Sequence, residues 1–241
     1  MTTYLVTGAS GQLGTRVVQH LATLAPPKDI VALVRSDAAA HAFEGQEIAT
    51  RRADYNDPTA LEAAFSGVDR LLLISGSEIG KRREQHANAI AAAKAAGVGF
   101  VAYTSILNAD TGGMALAEEH LATEAMLRDS ALPHTILRNG WYSENITMTL
   151  GQDLELGQHF GAAGDGRFAT ASRQDYAEAA AVVLRGGHDG EVLELAGDSA
   201  FTLSDYAATV TEVTYPSGVT AVDNQLGCQF QGASSSMRLI L

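Results

Sequence analysis

The N-terminal run "VTGASGQLG" sets three glycines three residues apart, Gly8, Gly11 and Gly14. At that spacing each removes a different steric obstacle. A glycine at 8 permits a tight turn, one at 11 lets backbone N–H groups approach a pyrophosphate, and one at 14 lets a helix lie close on a sheet. A helix starting there also offers unpaired N–H donors and the positive end of its dipole to phosphates. A glycine triplet alone is a common turn, so its chemistry depends on a strand before it and a helix after it. Both are present: "YLVTG" reads as a strand, and "QLGTRVVQHLATLA" as a helix stopped by Pro26 and Pro27. The expectation is a dinucleotide site.

Residues further along suit the same ligand. Arg35 follows the apolar run "DIVALV", where readers of an unphosphorylated ribose usually carry an acid. A guanidinium there can fork onto a 2′-phosphate, which points to NADPH, although Asp37 stands close by. Asp54, in "ADYNDP", either meets an adenine amino group or is a loop carboxylate. Ser75, Gly76 and Ser77 either leave room for ribose and nicotinamide or form a plain turn. "NGWYSEN" begins with Asn139, Gly140, Trp141 and Tyr142, in a chain only 6% aromatic. Trp141 and Tyr142 are candidate walls for a flat ring, with inward packing as the other reading.

Many short-chain reductases protonate their substrate with a Tyr-x-x-x-Lys pair. Between Thr104 and Asn139 there is neither tyrosine nor lysine, so that relay is absent. His120 and Glu124 share a helix face four residues apart, but two ligands do not make a metal site. His120 is either a buried helical histidine or a polar group facing the nicotinamide. A hydride site without a strong proton donor suits a quinone, whose reduced form is a stable phenolate-like anion of basicity near that of tyrosine, roughly 10. Positioning the ring then becomes the main catalytic task.

These residues need a frame. Apolar runs at "YLVTG", "DIVALVR", "EIATRRA", "DRLLLIS", "GFVAYTS" and "PHTILRN" alternate with helical patterns, among them "NDPTALEAAF" with Asp57 as its cap. Such alternation predicts an α/β fold, a doubly wound parallel sheet of strand order 3-2-1-4-5-6, with ligands beyond the carboxyl ends of the strands. Residues 1–140 form the nucleotide-binding Rossmann domain in this reading. Residues 141–206 form a small substrate lobe interleaved with the sheet, and 207–241 an atypical tail.

Composition bounds the rest. The chain has 241 residues, 46% of them hydrophobic, enough for a sizeable core. A formal charge of −12 argues against nucleic acid and anionic membranes as partners. No apolar run is long enough to span a bilayer, and no signal peptide is evident. The single cysteine, Cys228, fits a reducing cytoplasm.

The motifs "VTGASGQLG", "LLLISGSE", "QHANAIAAAKAAGV", "LRNGWYSEN" and "GAAGDGRFATASRQDYAEAAA" together closely resemble the bacterial type-2 NAD(P)H:quinone oxidoreductases of the NmrA-like branch of atypical short-chain reductases. The resemblance runs to about Tyr206 and implies an NADPH-preferring, flavin-free, two-electron quinone reductase. By position it implies that Gly8, Ala9, Ser10, Gly11, Gln12 and Leu13, with Arg35, Ser75 to Ser77, and Asn139, Gly140, Trp141, Tyr142, Ser143 and Glu144, line the cofactor. It leaves open a dye or xenobiotic reductase, and a dinucleotide-binding regulator without turnover, as a monomer or homodimer. After "FTLSDYAATV" the sequence departs from the family pattern, which suggests a truncated or frame-shifted end.

Overall fold

In the computed structural model, residues 2–157, 159–214, 221–224, 227–230 and 237–238 are described. The chain divides into two compact units, Met1–Gly140 with Arg173–Leu195, and Trp141–Ser172 with Ala196–Leu241.

The first unit holds a seven-stranded parallel sheet. Its strands are β1 (Tyr4–Val6), β2 (Ile30–Val34), β3 (Ala49–Arg52), β4 (Arg70–Leu73), β5 (Phe100–Ile106), β6 (His134–Asn139) and β7 (Val192–Leu195), in the order 3-2-1-4-5-6-7. Its helices are α1 (Gln12–Leu24), α2 (Asp37–Ala40), α3 (Pro58–Phe65), α4 (Arg82–Ala95), α5 (Ala117–Ser130) and α8 (Arg173–Arg185). The doubly wound order expected from the alternation is present, with one strand added at the edge. Strand β7 pairs parallel to β6 from Ile136↔Val192 to Asn139↔Leu195. Gly140 N–H then bonds Leu195 O at 2.8 Å.

Strand side chains alternate between two helix layers. Leu5, Val31, Leu33, Leu71, Leu73, Val101, Tyr103 and Ile136 pack with residues of α3, α4 and α5 in one buried cluster. Helices α1 and α8 pack on each other and on the strands. The start of α3 follows from its sequence: Asp57 accepts the Ala60 N–H at 3.0 Å, and Pro58 opens the helix where no N–H is needed.

The second unit contains α6 (Ser143–Thr147), α7 (Leu150–Leu156) and α9 (Leu203–Thr214). Two isolated bridges, Tyr142↔Ala171 and Phe168↔Phe201, tie its loops. Strands β8 (Ala221–Asn224), β9 (Gly227–Phe230) and β10 (Met237–Arg238) pair antiparallel in the order 10-9-8. Of the atypical stretch 207–241, α9 covers the beginning, and residues 215–220, 225–226, 231–236 and 239–241 lie outside the described residues. No helix among the described residues is long and apolar enough to cross a membrane.

Candidate dinucleotide site

A cavity of about 410 Å³ lies beyond the carboxyl ends of β1 to β4, lined wholly by the first unit. Gly8, Ser10, Gly11, Gln12, Leu13 and Gly14 form its floor. Gly8 adopts φ +57°, the left-handed region that favours glycine. At Gly14 a Cβ would lie 2.2 Å from Gly8 O and 2.8 Å from Ala9 Cα, so α1 can start this close to the turn only with glycine. Gly11 gives its own N–H to Gly8 O at 2.9 Å. The donors at the head of α1 are therefore the N–H groups of Gln12, Leu13 and Gly14, which precede the first helical bond, Thr15 N–H to Gly11 O at 3.0 Å. No side chain caps this end, and no acid sits in the first turn. Ala9 is fully buried and bonds Leu33 O, tying the loop to β2 rather than lining the cavity.

Arg35, exposed at the end of β2, lines the cavity. Asp37, the competing carboxylate, is engaged by Arg52 at 3.1 Å. Asp54 also lines the cavity, with its Oδ1 accepting the N–H and Nδ2–H of Asn56 at 2.8 and 2.6 Å. Tyr55 stands beside it, its hydroxyl 2.5 Å from Thr7 Oγ1 and 2.8 Å from Ile74 O. Burial pushes the Tyr55 phenol above its ordinary pKa.

The opposite wall is Ser75, Gly76 and Ser77. Ser75 N–H bonds Thr104 Oγ1 at 2.9 Å, and Gly76 N–H bonds His86 Nε2 at 3.0 Å. Arg82 Nε donates to Gly76 O at 2.8 Å. A Cβ at Gly76 would meet Gln85 Oε1 at 2.9 Å.

Asn139 ends β6 and is 5% exposed, yet neither its Nδ2 nor its Oδ1 has a hydrogen-bond partner. An unpaired buried amide is costly, and both atoms are open to a bond from a ligand or water. The neighbouring Arg138 is held in a knot of charges. It meets Glu124 through Nε and Nη2 at 3.0 and 2.8 Å, and through Nη1 reaches Glu194 at 2.8 Å and Asp110 at 3.0 Å. Burial alone would raise the Glu124 pKa, but hydrogen bonds from Arg138 and Ser105 outweigh it and hold the carboxyl below its ordinary value. A Cβ on Gly140 would fall 2.9 Å from Tyr176 Oη and 3.0 Å from Leu195 O.

A family model described as NAD(P)H-binding matches residues 8–186. The chain belongs to that family. Quinone oxidoreductase 2 of Escherichia coli (strain K12) is 54% identical over 216 residues, 87% of this chain and 76% of that protein. The crystal structure of an NADPH-dependent quinone oxidoreductase from Escherichia coli, complexed with NADPH, matches with a TM-score of 0.86 and 54% identity, over 88% of this chain and 75% of that one. Citrobacter sp. triphenylmethane reductase complexed with NADP(H) matches with a TM-score of 0.83 and 36% identity, over 88% of this chain and 75% of that one. The resemblance read from the motifs is thus borne out over most of this chain.

Within this family member, the site residues expected from sequence are only partly brought together, and Asn139 and Gly140 are not part of the cavity lining. Gly8, Ser10, Gly11, Gln12, Leu13, Arg35, Asp54 and Ser75 to Ser77 converge on one cavity. Trp141 to Glu144 open the second unit. Trp141 is 45% exposed, against the alternative of inward packing. Tyr142 precedes α6 and bridges Ala171, Ser143 Oγ bonds Thr170 Oγ1 at 2.9 Å, and Glu144 lies in the first turn of α6. His120 is buried, with Nδ1 2.8 Å from the Tyr103 hydroxyl, and is not part of the cavity lining. Burial, reinforced by Arg82, pushes its pKa down to about 4. Glu124 is engaged by Arg138, and no cluster among the described residues could hold a metal. Sequence reasoning missed Tyr55, Arg82, Gln85 and His86, which shape the cavity or hold its wall. Only Tyr55 carried a signal, its place inside the "ADYNDP" motif.

Proposed function

We propose that this chain is a flavin-free NADPH:quinone oxidoreductase, reducing a quinone by two electrons. The observation that carries this reading is the match, at 54% identity and a TM-score of 0.86, to a quinone oxidoreductase complexed with NADPH. The residues present fit such a cofactor: an uncapped helix head, an exposed arginine at the end of β2 and an orphaned buried amide stand at the carboxyl edge of the same sheet.

In this reading the N–H groups of Gln12 and Leu13 hold the pyrophosphate, and Arg35 holds the 2′-phosphate. Asp54 faces the adenine, and Ser75 to Ser77 bound the ribose and nicotinamide path. Asn139 and Gly140 neighbour the nicotinamide half. Bound NADPH supplies a hydride from its nicotinamide ring. The chain's own task is orientation and exclusion of water, because no Tyr–Lys relay exists between Thr104 and Asn139 to deliver a proton. The first unit serves the nucleotide and the second the acceptor, with the exposed face of Trp141 suited to a flat ring.

The single cysteine and acidic charge support a cytoplasmic setting, and a monomer or homodimer is the working species. The test follows NADPH absorbance with and without a simple benzoquinone or naphthoquinone. Quinone-dependent oxidation is expected. Tight NADPH binding without turnover of either quinone would defeat the enzyme reading in favour of a dinucleotide-binding regulator. Turnover of a triphenylmethane dye but no quinone would move the substrate class, a reading favoured by the Citrobacter match.

A further inference from the structure

We propose that His86 is a positioning residue for NADPH, acting on the cofactor wall through Gly76 without touching the ligand. The proposal rests on the reading that Ser75 to Ser77 border the nucleotide.

His86 and Thr123 are fully buried, and Arg82 is 5% exposed. A backbone N–H can only donate, so the 3.0 Å contact from Gly76 N to His86 Nε2 requires that nitrogen to be unprotonated. The ring proton then sits on Nδ1 and is given to Thr123 Oγ1 at 2.9 Å. Thr123 in turn donates to Glu119 O at 3.0 Å. A second arm runs beside the first. The Glu119 carboxylate meets Arg82 Nη1 at 2.5 Å and Gly80 N–H at 2.7 Å, while Arg82 Nε holds Gly76 O. Helix α5 therefore grips both polar atoms of one cavity-lining residue, one through each arm.

The grip leaves Gly76 little freedom. Gln85 Oε1 blocks the side where a Cβ would project, and Thr104 holds the preceding N–H. Without the imidazole acceptor, the Gly76 N–H has no protein partner and turns toward water in the cavity. That rotation displaces Ser75 and Ser77 from the path they border. The consequence belongs in cofactor affinity, not only in stability.

The test compares His86→Phe, which keeps ring volume without an acceptor, with His86→Gln, whose Oε1 can accept the Gly76 N–H. NADPH affinity is measured by titration, alongside kcat at saturating NADPH and the unfolding midpoint. His86→Phe should weaken NADPH by about tenfold, as expected for a buried donor left unpaired. His86→Gln should recover most of that loss, with kcat little changed. Should His86→Phe fail to fold, Thr123→Val removes only the partner that orients the ring and should cost about threefold. A folded His86→Phe or Thr123→Val protein that binds NADPH like the parent overturns the proposal. A parent that binds no NADPH overturns the cofactor reading first, and this proposal with it.

Discussion

Replacing Arg35 with serine probes the cofactor preference most directly. Arg35 lines the cavity at the end of β2, while its rival Asp37 is turned to Arg52 at 3.1 Å. A charge-assisted hydrogen bond contributes about 1.5–3 kcal/mol when shielded. Arg35 is exposed, so solvent screening takes the interaction to the lower end. A loss of about 1.4 kcal/mol corresponds to about tenfold in Kd. NADH lacks the 2′-phosphate and should bind Arg35→Ser and parent alike. The assay is a paired titration of NADPH and NADH on both proteins, repeated at higher salt, where the NADPH difference should shrink. Equal weakening of both nucleotides would show that the substitution distorts the loop. An unchanged NADPH affinity would refute the assignment of Arg35 to the phosphate.

Gly14→Ala should cost about 1–3 kcal/mol in a denaturant titration and weaken NADPH, because the new Cβ meets Gly8 O at 2.2 Å and forces α1 off the turn. Arg138→Met should destabilise by about 3–5 kcal/mol, since it strands the fully buried Glu124 carboxylate without its main partner. Acid should act through the buried histidines. Burial, aided by Arg82, lowers His86 to about 3 and His120 to about 4, against 6.5 in the unfolded chain. Below 6.5 the unfolded state therefore takes up protons that the native state refuses, so this contribution is complete above that pH and is lost as pH falls toward about 3. Unfolding midpoints across that window should show the decline, and His86→Gln should flatten it.

Much of the frame could be read from pattern because the information is local. The start of α3 is fixed by Asp57 and Pro58 within one turn, and the glycine loop by three residues between a strand and a helix. Strand β7 falls within the stretch 141–206 read as a substrate lobe, because its seat in the sheet is not written locally. Its pairing with β6 spans more than fifty positions, and the chain crosses the second unit and α8 before returning. Helices α6 and α7 are only 5 and 7 residues long, too short for a periodic stripe to stand out. At the site, most residues that line the cavity have a role legible in the sequence, Gln85 being an exception, whereas Arg82 and His86, which hold its wall, do not. His86 lies in an alanine-rich helix and has no ligand spacing to mark it. Its partners are Gly76, ten positions before it, and Thr123, on the following helix.

The buried ionisable groups around the site argue for the kind of chemistry it performs. Burial pushes the Tyr55 and Tyr103 phenols up, and it pushes His86 and His120 down. All four are driven into their neutral forms and away from the neutral range where a general acid or base works best. Each is also committed to a structural partner: Thr7 for Tyr55, His120 for Tyr103, and the Gly76 N–H for His86. Of the ion pairs, Arg82–Glu119 holds the Gly76 carbonyl, and Arg138–Glu124 ties β6 to α5. Both acids stand on α5, so one helix sets the position of the Ser75–Ser77 wall and braces the end of β6, where Asn139 stands. Such an arrangement spends these buried groups on geometry rather than on proton delivery. A hydride acceptor that needs little protonation assistance is the substrate class for which that division of labour suffices.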